Sequence, residues 1–539
     1  MKHGVIIGWM SLLFLTALTA IGQPNAPFAR YIGSPGNYPP DYRIQRAPGG
    51  YYLLHNFVDS TLFVPQLNRI RRDGSVMWCR DLELSGIVSP RAKLLTADSA
   101  GITIVGTLQL NGYKNFLLRL DTTGAVQSDK VVDLGGFNEP AALIPRGHVR
   151  SLAGYRDFPD STGRFTYDMT MVRLDSSDHV LSASSVGNDT TDFTLTAATA
   201  LRNGWTVSVG EAGNRALARF ACQLAWWSDR DSLMRFFRVE DGVYLTRLRP
   251  VAIAAAGDTA LFVACSGSTV AGNEHEVVLM KIDTAGQLRW SKRYYQIAYD
   301  LEVRSLAVDV TGRICMAGNC YRSVNDNGTF LLRLDAAGDV VNGSLFRASV
   351  FTFGGNAQTD LLAGQDGSWI YPVYYYAGNL YTPALVRTDT GLSSPCTGLD
   401  EPFVWATAPA NLQLLPLQLP EQRFLNLVAD TLSCSLPQRM PNEGDLCLAV
   451  GFGSSVVTDT PSWSVYPNPF RDAIRLEGLS GELQFRLYDM TGREVRAIYR
   501  SSFVSGDLIS LPGLSAGCYR LVVSGQERTV SKTILSVDH

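Results

Sequence analysis

Six histidines, one G-x-S-x-G pentapeptide and a set of recurring aspartates are the residues of this chain whose types could do chemistry. Gly513-Leu514-Ser515-Ala516-Gly517 satisfies the hydrolase pattern, but that chemistry needs a strand-to-helix elbow with a histidine and an acid nearby. Strand-like sequence flanks the pentapeptide on both sides and only His539 follows it, so it reads as a turn. His3, His55, His148, His179 and His275 are scattered, with no H-E-x-x-H spacing, and no C-x-x-C pair supports a structural zinc site. Glu274-His275-Glu276 reads as a charged, solvated loop. Asp121, Asp283 and Asp335 each stand alone shortly before a glycine, without the alternating ligand spacing of a calcium loop, and read as turn residues. Asn325-Asp326-Asn327-Gly328 lacks the downstream glutamate and reads as a polar turn. No phosphate-cradling glycine pattern occurs. The sequence therefore assigns no catalytic, cofactor-binding or metal-ligating residue, although carboxylate pairs that meet only in space leave no mark in a sequence.

The elements that would position any site are strands. The 539 residues are too many for one ordinary domain, with 46% hydrophobic and only 18% charged residues and abundant glycine and aromatics. That profile predicts an all-β chain of many short strands and tight turns. A formal charge of −3 and the lack of any Lys/Arg run argue against nucleic acid as a partner. Lys2 followed by an apolar run from Val5 to Leu18, with Ala20 and Gly22 at the small-residue positions, predicts a signal peptide over 1–22. No later stretch is apolar enough to span a membrane once that peptide is cleaved. Of nine cysteines, Cys265 and Cys315 sit in apolar strands as buried thiols, whereas Cys396, Cys434 and Cys447 lie where a disulfide is plausible.

A repeat organises residues 23–399. A strand ending in Arg/Lys-aliphatic-Asp meets a glycine turn at Leu118–Asp121 with Gly124, at Met280–Asp283 with Gly286, and at Leu332–Asp335 with Gly338. Weaker copies stand at Asn68–Ile70 with Asp73-Gly74, at Val172–Asp175, at Val386–Asp389 with Gly391, and, degenerate, at Ala218–Phe220. Seven copies about fifty residues apart have the spacing of propeller blades. Upstream partner strands follow Gly50, Gly101, Gly204, Gly312 and Gly367. Units of this size bury both faces only by stacking, and a ring removes most exposed edges. Trp78 and Trp290, four residues beyond Gly74 and Gly286, are placed to pack between neighbouring blades. The repeats resemble those of bacterial extracellular propeller proteins. Residues 400–453 lack the repeat but still read as strands, extending the propeller or packing beside it, and 454–462 reads as a linker.

The last segment, 463–539, carries ordered motifs. Val465-Tyr466-Pro467-Asn468-Pro469-Phe470 opens it, its prolines forcing an extended entrance to the first strand. Leu487-Tyr488-Asp489-Met490-Thr491-Gly492-Arg493 predicts a hairpin turned at Asp489 and Gly492, and Gly517-Cys518-Tyr519-Arg520-Leu521 begins another strand. Alternating apolar positions predict a small immunoglobulin-like β-sandwich. These motifs resemble the C-terminal sorting domain of the type IX secretion system, departing from it at Cys518, where Val, Ile or Thr is usual. The resemblance implies that Tyr466, Pro467, Asn468, Pro469, Phe470, Tyr488, Asp489, Gly492, Arg493, Gly517 and Tyr519 form the sorting motif. It also implies export through the periplasm to the outer surface or medium, with the secretion machinery as partner.

The expectation is a roughly seven-bladed β-propeller followed by a sorting sandwich. The body is read as a binding or structural module for a glycan, a protein or a surface. The alternative is a secreted hydrolase or lyase with carboxylates at the propeller mouth. Tyr374-Tyr375-Tyr376 reads as strand packing before it reads as a binding rim.

Overall fold

The computed structural model describes residues 27–32, 42–445 and 464–536, less short internal segments of which the longest is 348–359. The signal-peptide reading of 1–22, the 454–462 linker, Cys396 and Cys447 lie outside the described residues. The described elements are all β.

Four-stranded antiparallel units follow one another along the chain, each built by sequence-adjacent hairpins. Blade 1 runs from the inside outward as Tyr42–Ala47, Gly50–Asp59, Leu62–Arg71 and Val76–Asp81. Blades 2 to 6 repeat that order from inner strands Val88–Ala97, Asn138–Arg146, Ala197–Ala200, Leu245–Ala256 and Asp300–Val308. Blade 7 has Leu362–Ala363, Trp369–Ala377 and Leu380–Arg387 from its own stretch and takes Phe28–Ile32, from the far end of the chain, as its fourth strand. The seven inner strands touch in succession, and that of blade 7 returns to that of blade 1, so the ring is closed.

Seven of the eight hydrophobic clusters lie one at each joint between neighbouring blades, as with Tyr52 and Leu54 of blade 1 against Ile102 and Ile104 of blade 2. A single blade has no core of its own, which is why the units had to stack.

The segment after residue 399 settles its role by pairing. Asp400–Pro402 adds to the outer edge of blade 6, Ala406–Pro409 to blade 5, Leu412–Pro416 to blade 4, Glu421–Leu425 to blade 3 and Ala429–Thr431 to blade 2. Gln438–Arg439 then adds to blade 1, and Glu443–Asp445 to blade 7 against Phe28–Ile32. A belt thus circles the ring in the reverse of blade order and covers edges that would otherwise present unpaired backbone groups. Three of its strands end in proline, tolerable because the outermost strand needs no N–H on its solvent side.

The recurring aspartates are turn residues. Asp121 Oδ1 accepts the backbone N–H groups of Thr123 (2.8 Å) and Ala125 (2.9 Å), and Asp335 Oδ1 accepts those of Ala337 and Asp339. The Thr123 hydroxyl and these amides hold the Asp121 carboxyl below the usual range. Two copies stand in a different register from that expected. In blade 4 the turn is Ser228 to Ser232, while Arg219 and Phe220 of the expected copy open the third strand, Arg219–Trp227, and Ala218 lies outside the described residues; in blade 7 the positive-φ residue is Leu392 (φ 68°), not Gly391. Asp326–Leu334 is a strand, so Asp326 to Gly328 are not a turn. Cys79, Cys222, Cys265 and Cys315 are buried free thiols, and Cys434, expected near a bridge, is free as well.

Beyond the ring, Ser464–Tyr466, Ala473–Glu477 and Leu508–Ser510 form one sheet, and Glu494–Phe503, Gly481–Asp489, Gly517–Gly525 and Thr529–Ser536 the other. Phe470, Ile474, Leu476, Phe485, Leu487 and Tyr519 fill the space between them.

Candidate functional site

In the sandwich, the sequence motifs fall at strand ends. Val465 and Tyr466 pair with Leu476 and Arg475, and Phe470, just past the proline pair, is 1% exposed in the core. Tyr488 and Asp489 end the strand whose partner begins at Glu494. Tyr519 is buried and its hydroxyl donates back to the Ser515 carbonyl (2.8 Å), pinning the turn before its own strand. Ser515 Oγ lies 3.0 Å from the same hydroxyl, so the serine of the G-x-S-x-G pentapeptide belongs to a turn. Pro467, Asn468, Pro469, Gly492 and Arg493 lie outside the described residues.

In the ring, the short Asp/Gly turns occupy one face. The other, the mouth, carries the longer connections and is where the inner strands begin. Along the axis every inner strand or its approach contributes to a cavity of about 270 Å³, mostly Ala, Leu and Ile with Arg43, Gln45, Arg304 and Asp360 as its larger polar groups. Asp360 Oδ2 accepts the Ile44 N–H (3.0 Å), and burial pushes its carboxyl above the ordinary range.

A second cavity, of about 290 Å³, opens at the mouth between blades 5 and 6 and is far richer in polar side chains. Arg247 and Arg249 come from the first residues of blade 5's inner strand, Ser266 and Ser268 from the end of its second strand and His275 from the start of its third. Blade 6 supplies Asp300 and Glu302 from the start of its inner strand and Tyr321 from the end of its second. Strand alternation puts Arg247 with Arg249, and Asp300 with Glu302, on one face each. Ser266 Oγ accepts the Val303 N–H (3.2 Å), which ties the two walls together.

The charges here are ordered by contacts. Glu302 Oε2 accepts from Arg304 Nη2 (2.6 Å) and from the Tyr321 hydroxyl (3.4 Å), which in turn accepts from Asn319 Nδ2 (2.7 Å). Burial, reinforced by the Glu302 charge, raises Tyr321, so its phenol stays protonated as a donor. Arg249 Nη1 reaches Glu302 Oε1 only at 4.0 Å, and Arg247 Nη2 bonds Glu211 Oε1 of blade 4 at 3.2 Å. Asp300 Oδ1 accepts the His275 N–H (3.2 Å).

Of the residues weighed in sequence, only His275 belongs to this pocket. It opens a strand, and its neighbour Glu276 is buried and paired with Arg293 at 3.1 Å, so the segment is not a solvated loop. His55, His148 and His179 lie apart from it, His55 sealed in blade 1 and His179 on the Asp175 turn. The pocket's missed signal is charge alternating with aliphatic residues at Arg247-Leu248-Arg249 and Asp300-Leu301-Glu302-Val303-Arg304, unusual in strands otherwise apolar. Among the described residues no group of three or more His, Cys, Asp or Glu is placed to hold a metal, and no helix is long and apolar enough to cross a membrane.

Comparison with known proteins separates the two parts. No curated protein matches the chain. Among the solved structures with distant likeness are a member of the DUF4221 family from Bacteroides vulgatus (9% identity, TM-score 0.30, covering 67% of this chain and 95% of that one) and a Trypanosoma rangeli sialidase mutant displaying trans-sialidase activity (8% identity, TM-score 0.32, 86% of each chain). Likeness at that level says nothing of what this body does. Residues 464–536, by contrast, match the family described as the secretion system C-terminal sorting domain. The two-sheet tail is thus a type IX sorting domain, the mark of a secreted or cell-surface protein, and it follows an all-β propeller body.

Proposed function

We propose that this protein is exported through the type IX system by residues 463–539 and works outside the cell as a glycan-binding propeller. Its route runs from a leader over 1–22 through the periplasm to the outer surface or medium. Residues 23–453 travel as one body, since the belt in 400–445 is paired into every blade. The sorting-domain match over 464–536 carries the export reading. The expected motif, Tyr466 to Phe470, then Tyr488, Asp489, Gly492 and Arg493, and Gly517 with Tyr519, is what the machinery would read. In the native host, fractionation of the full chain should find it at the surface or in the medium. A chain lacking 463–539 should stay in the periplasm; equal export of both would overturn the reading.

The binding reading rests on the pocket between blades 5 and 6, where hydroxyls, carboxylates and guanidinium groups converge at the mouth. Dense, directional hydrogen-bonding groups in a small cleft suit a polyhydroxylated ligand, and a cavity near the lower end of the usual ligand range suits a single sugar ring. A hydrolase would use Asp300 and Glu302, about 7 Å apart along one strand face. Glu302 is already engaged by Arg304 and Tyr321, which favours orienting over proton transfer. Isothermal titration of the mature chain with neutral and charged oligosaccharides tests the reading, and no binding by any of them would overturn it.

A further inference from the structure

The reading of this pocket as a sugar site leaves its selectivity open, and the disposition of its charges narrows it. Glu302 is shared unevenly among three donors. Its Oε2 takes Arg304 at 2.6 Å and Tyr321 at 3.4 Å, while Oε1 faces Arg249 at 4.0 Å, beyond hydrogen-bond reach. The Arg249 guanidinium, 37% exposed, thus sits in the pocket with its charge balanced only at a distance. Arg247, two residues earlier on the same strand face, is steadied from behind by Glu211. Across the cavity, Asp300 is anchored by the His275 amide through one oxygen, and Ser268 stands on the blade 5 side.

Resting on that sugar-site reading, we propose that the pocket selects an acidic saccharide, with the ligand carboxylate on the Arg249 and Arg247 side and its ring hydroxyls toward Asp300 and Ser268. A guanidinium's planar fork matches a carboxylate bidentately and does so best where it is not already paired. A carboxylate opposite a cationic wall is also how a site accepts hydroxyl donors without repelling the acid group beyond them, because each charge of the ligand side meets its complement. A neutral sugar would leave the Arg249 donors to water. An amino sugar would meet the cationic wall at a cost.

The test uses the mature full chain and three probes of equal length: a galacturonate oligomer, the neutral galactose oligomer and a glucosamine oligomer. The galacturonate oligomer should bind at least tenfold more tightly than the neutral one, and the gap should shrink as salt is raised. Arg249→Gln should abolish most of that gap with the melting temperature near wild type, and Arg249→Lys should restore part of it. Equal binding of acidic and neutral oligomers, an unchanged gap in Arg249→Gln, or preference for the glucosamine oligomer would each overturn the inference while keeping a glycan-binding body. Absence of binding by all three would overturn both.

Discussion

His55 lies on the second strand of blade 1 between the rings of Tyr42 and Phe57, fully buried, with Asn68 Nδ2 3.5 Å from its Nδ1. Burial without a carboxylate partner pushes its pKa from 6.5 down to about 3. The unfolded chain therefore takes up this proton first as pH falls. Stability is full above the unfolded pKa near 6.5 and drains away toward pH 3, by about 1.4 kcal/mol per pH unit for one proton. Denaturant unfolding at pH 7, 5.5 and 4.5 should show that loss in the wild type. His55→Phe, which keeps a ring in the same apolar setting, should flatten the pH slope by one proton even if it lowers stability at pH 7. An unchanged slope would mean that other groups set the acid limit. The sequence showed this histidine as one of a scatter, because burial depends on neighbours such as Tyr42 and Phe57 that only the fold supplies.

At the scale of strands and turns, the Arg/Lys-aliphatic-Asp-x-x-Gly repeat is an interblade joint as well as a turn. Arg119 of blade 2 donates to the Ser176 carbonyl in the turn of blade 3, Lys281 of blade 5 to Ala336 O of blade 6, and Arg333 of blade 6 to Thr390 O of blade 7. An aromatic on the outer strand of one blade also covers the turn glycine of the next, Trp78 over Gly124 and Trp290 over Gly338. At Gly338 (φ +80°) an added Cβ would sit 2.5 Å from the Trp290 ring, so Gly338→Ala combines backbone strain with overpacking and should cost about 2–4 kcal/mol. Gly147 (φ +62°) has nothing within 4 Å, and its alanine variant should cost only the backbone part, about 1–2 kcal/mol. In a Trp290→Ala background the excess at Gly338 should vanish, a coupling that a double-mutant cycle in denaturant measures; additive losses would refute the joint. The period and the two tryptophans were legible because these residues recur at fixed offsets. Blades 3, 4 and 7 were hard to read because Asp178, Asp231 and Leu392 take the positive-φ place, and compensation comes from elsewhere. At blade 3, Ser128 on the outer strand of blade 2 stands at the tryptophan's site and donates to Asp178 Oδ2 (2.8 Å), with Arg150 of blade 3 paired to the same carboxylate. The mouth pocket was illegible for a related reason: its walls come from two blades, and no local spacing joins Arg249 to Glu302.

Across the whole molecule the first and last described strands of the propeller body meet in blade 7, where Phe28–Ile32 lies between Leu380–Arg387 and Glu443–Asp445. The belt that leads there was visible in sequence only as proline-broken strands of two to five residues, too short to declare partners, since register comes from the blade edge and not from the strand itself. Yet the belt is held to the ring along seven blade edges, so it is fastened at many points. Consider a protease site inserted between Leu417 and Pro420, in the join from blade 4 to blade 3. After cutting, the downstream fragment still pairs with blades 3, 2, 1 and 7, and Leu425 and Leu432 remain in the cores of the joints they reach. Each pairing alone is weak, but linked pairings act at high effective concentration. The two fragments should therefore co-elute on gel filtration in buffer and separate only in denaturant. Removing Phe28–Ile32 as well takes away the strand that Glu443–Asp445 pairs with, and should loosen the fragment at lower denaturant. Separation of the cut wild-type fragments in buffer alone would show that the belt is an appendage whose edge pairings do not hold the two fragments together.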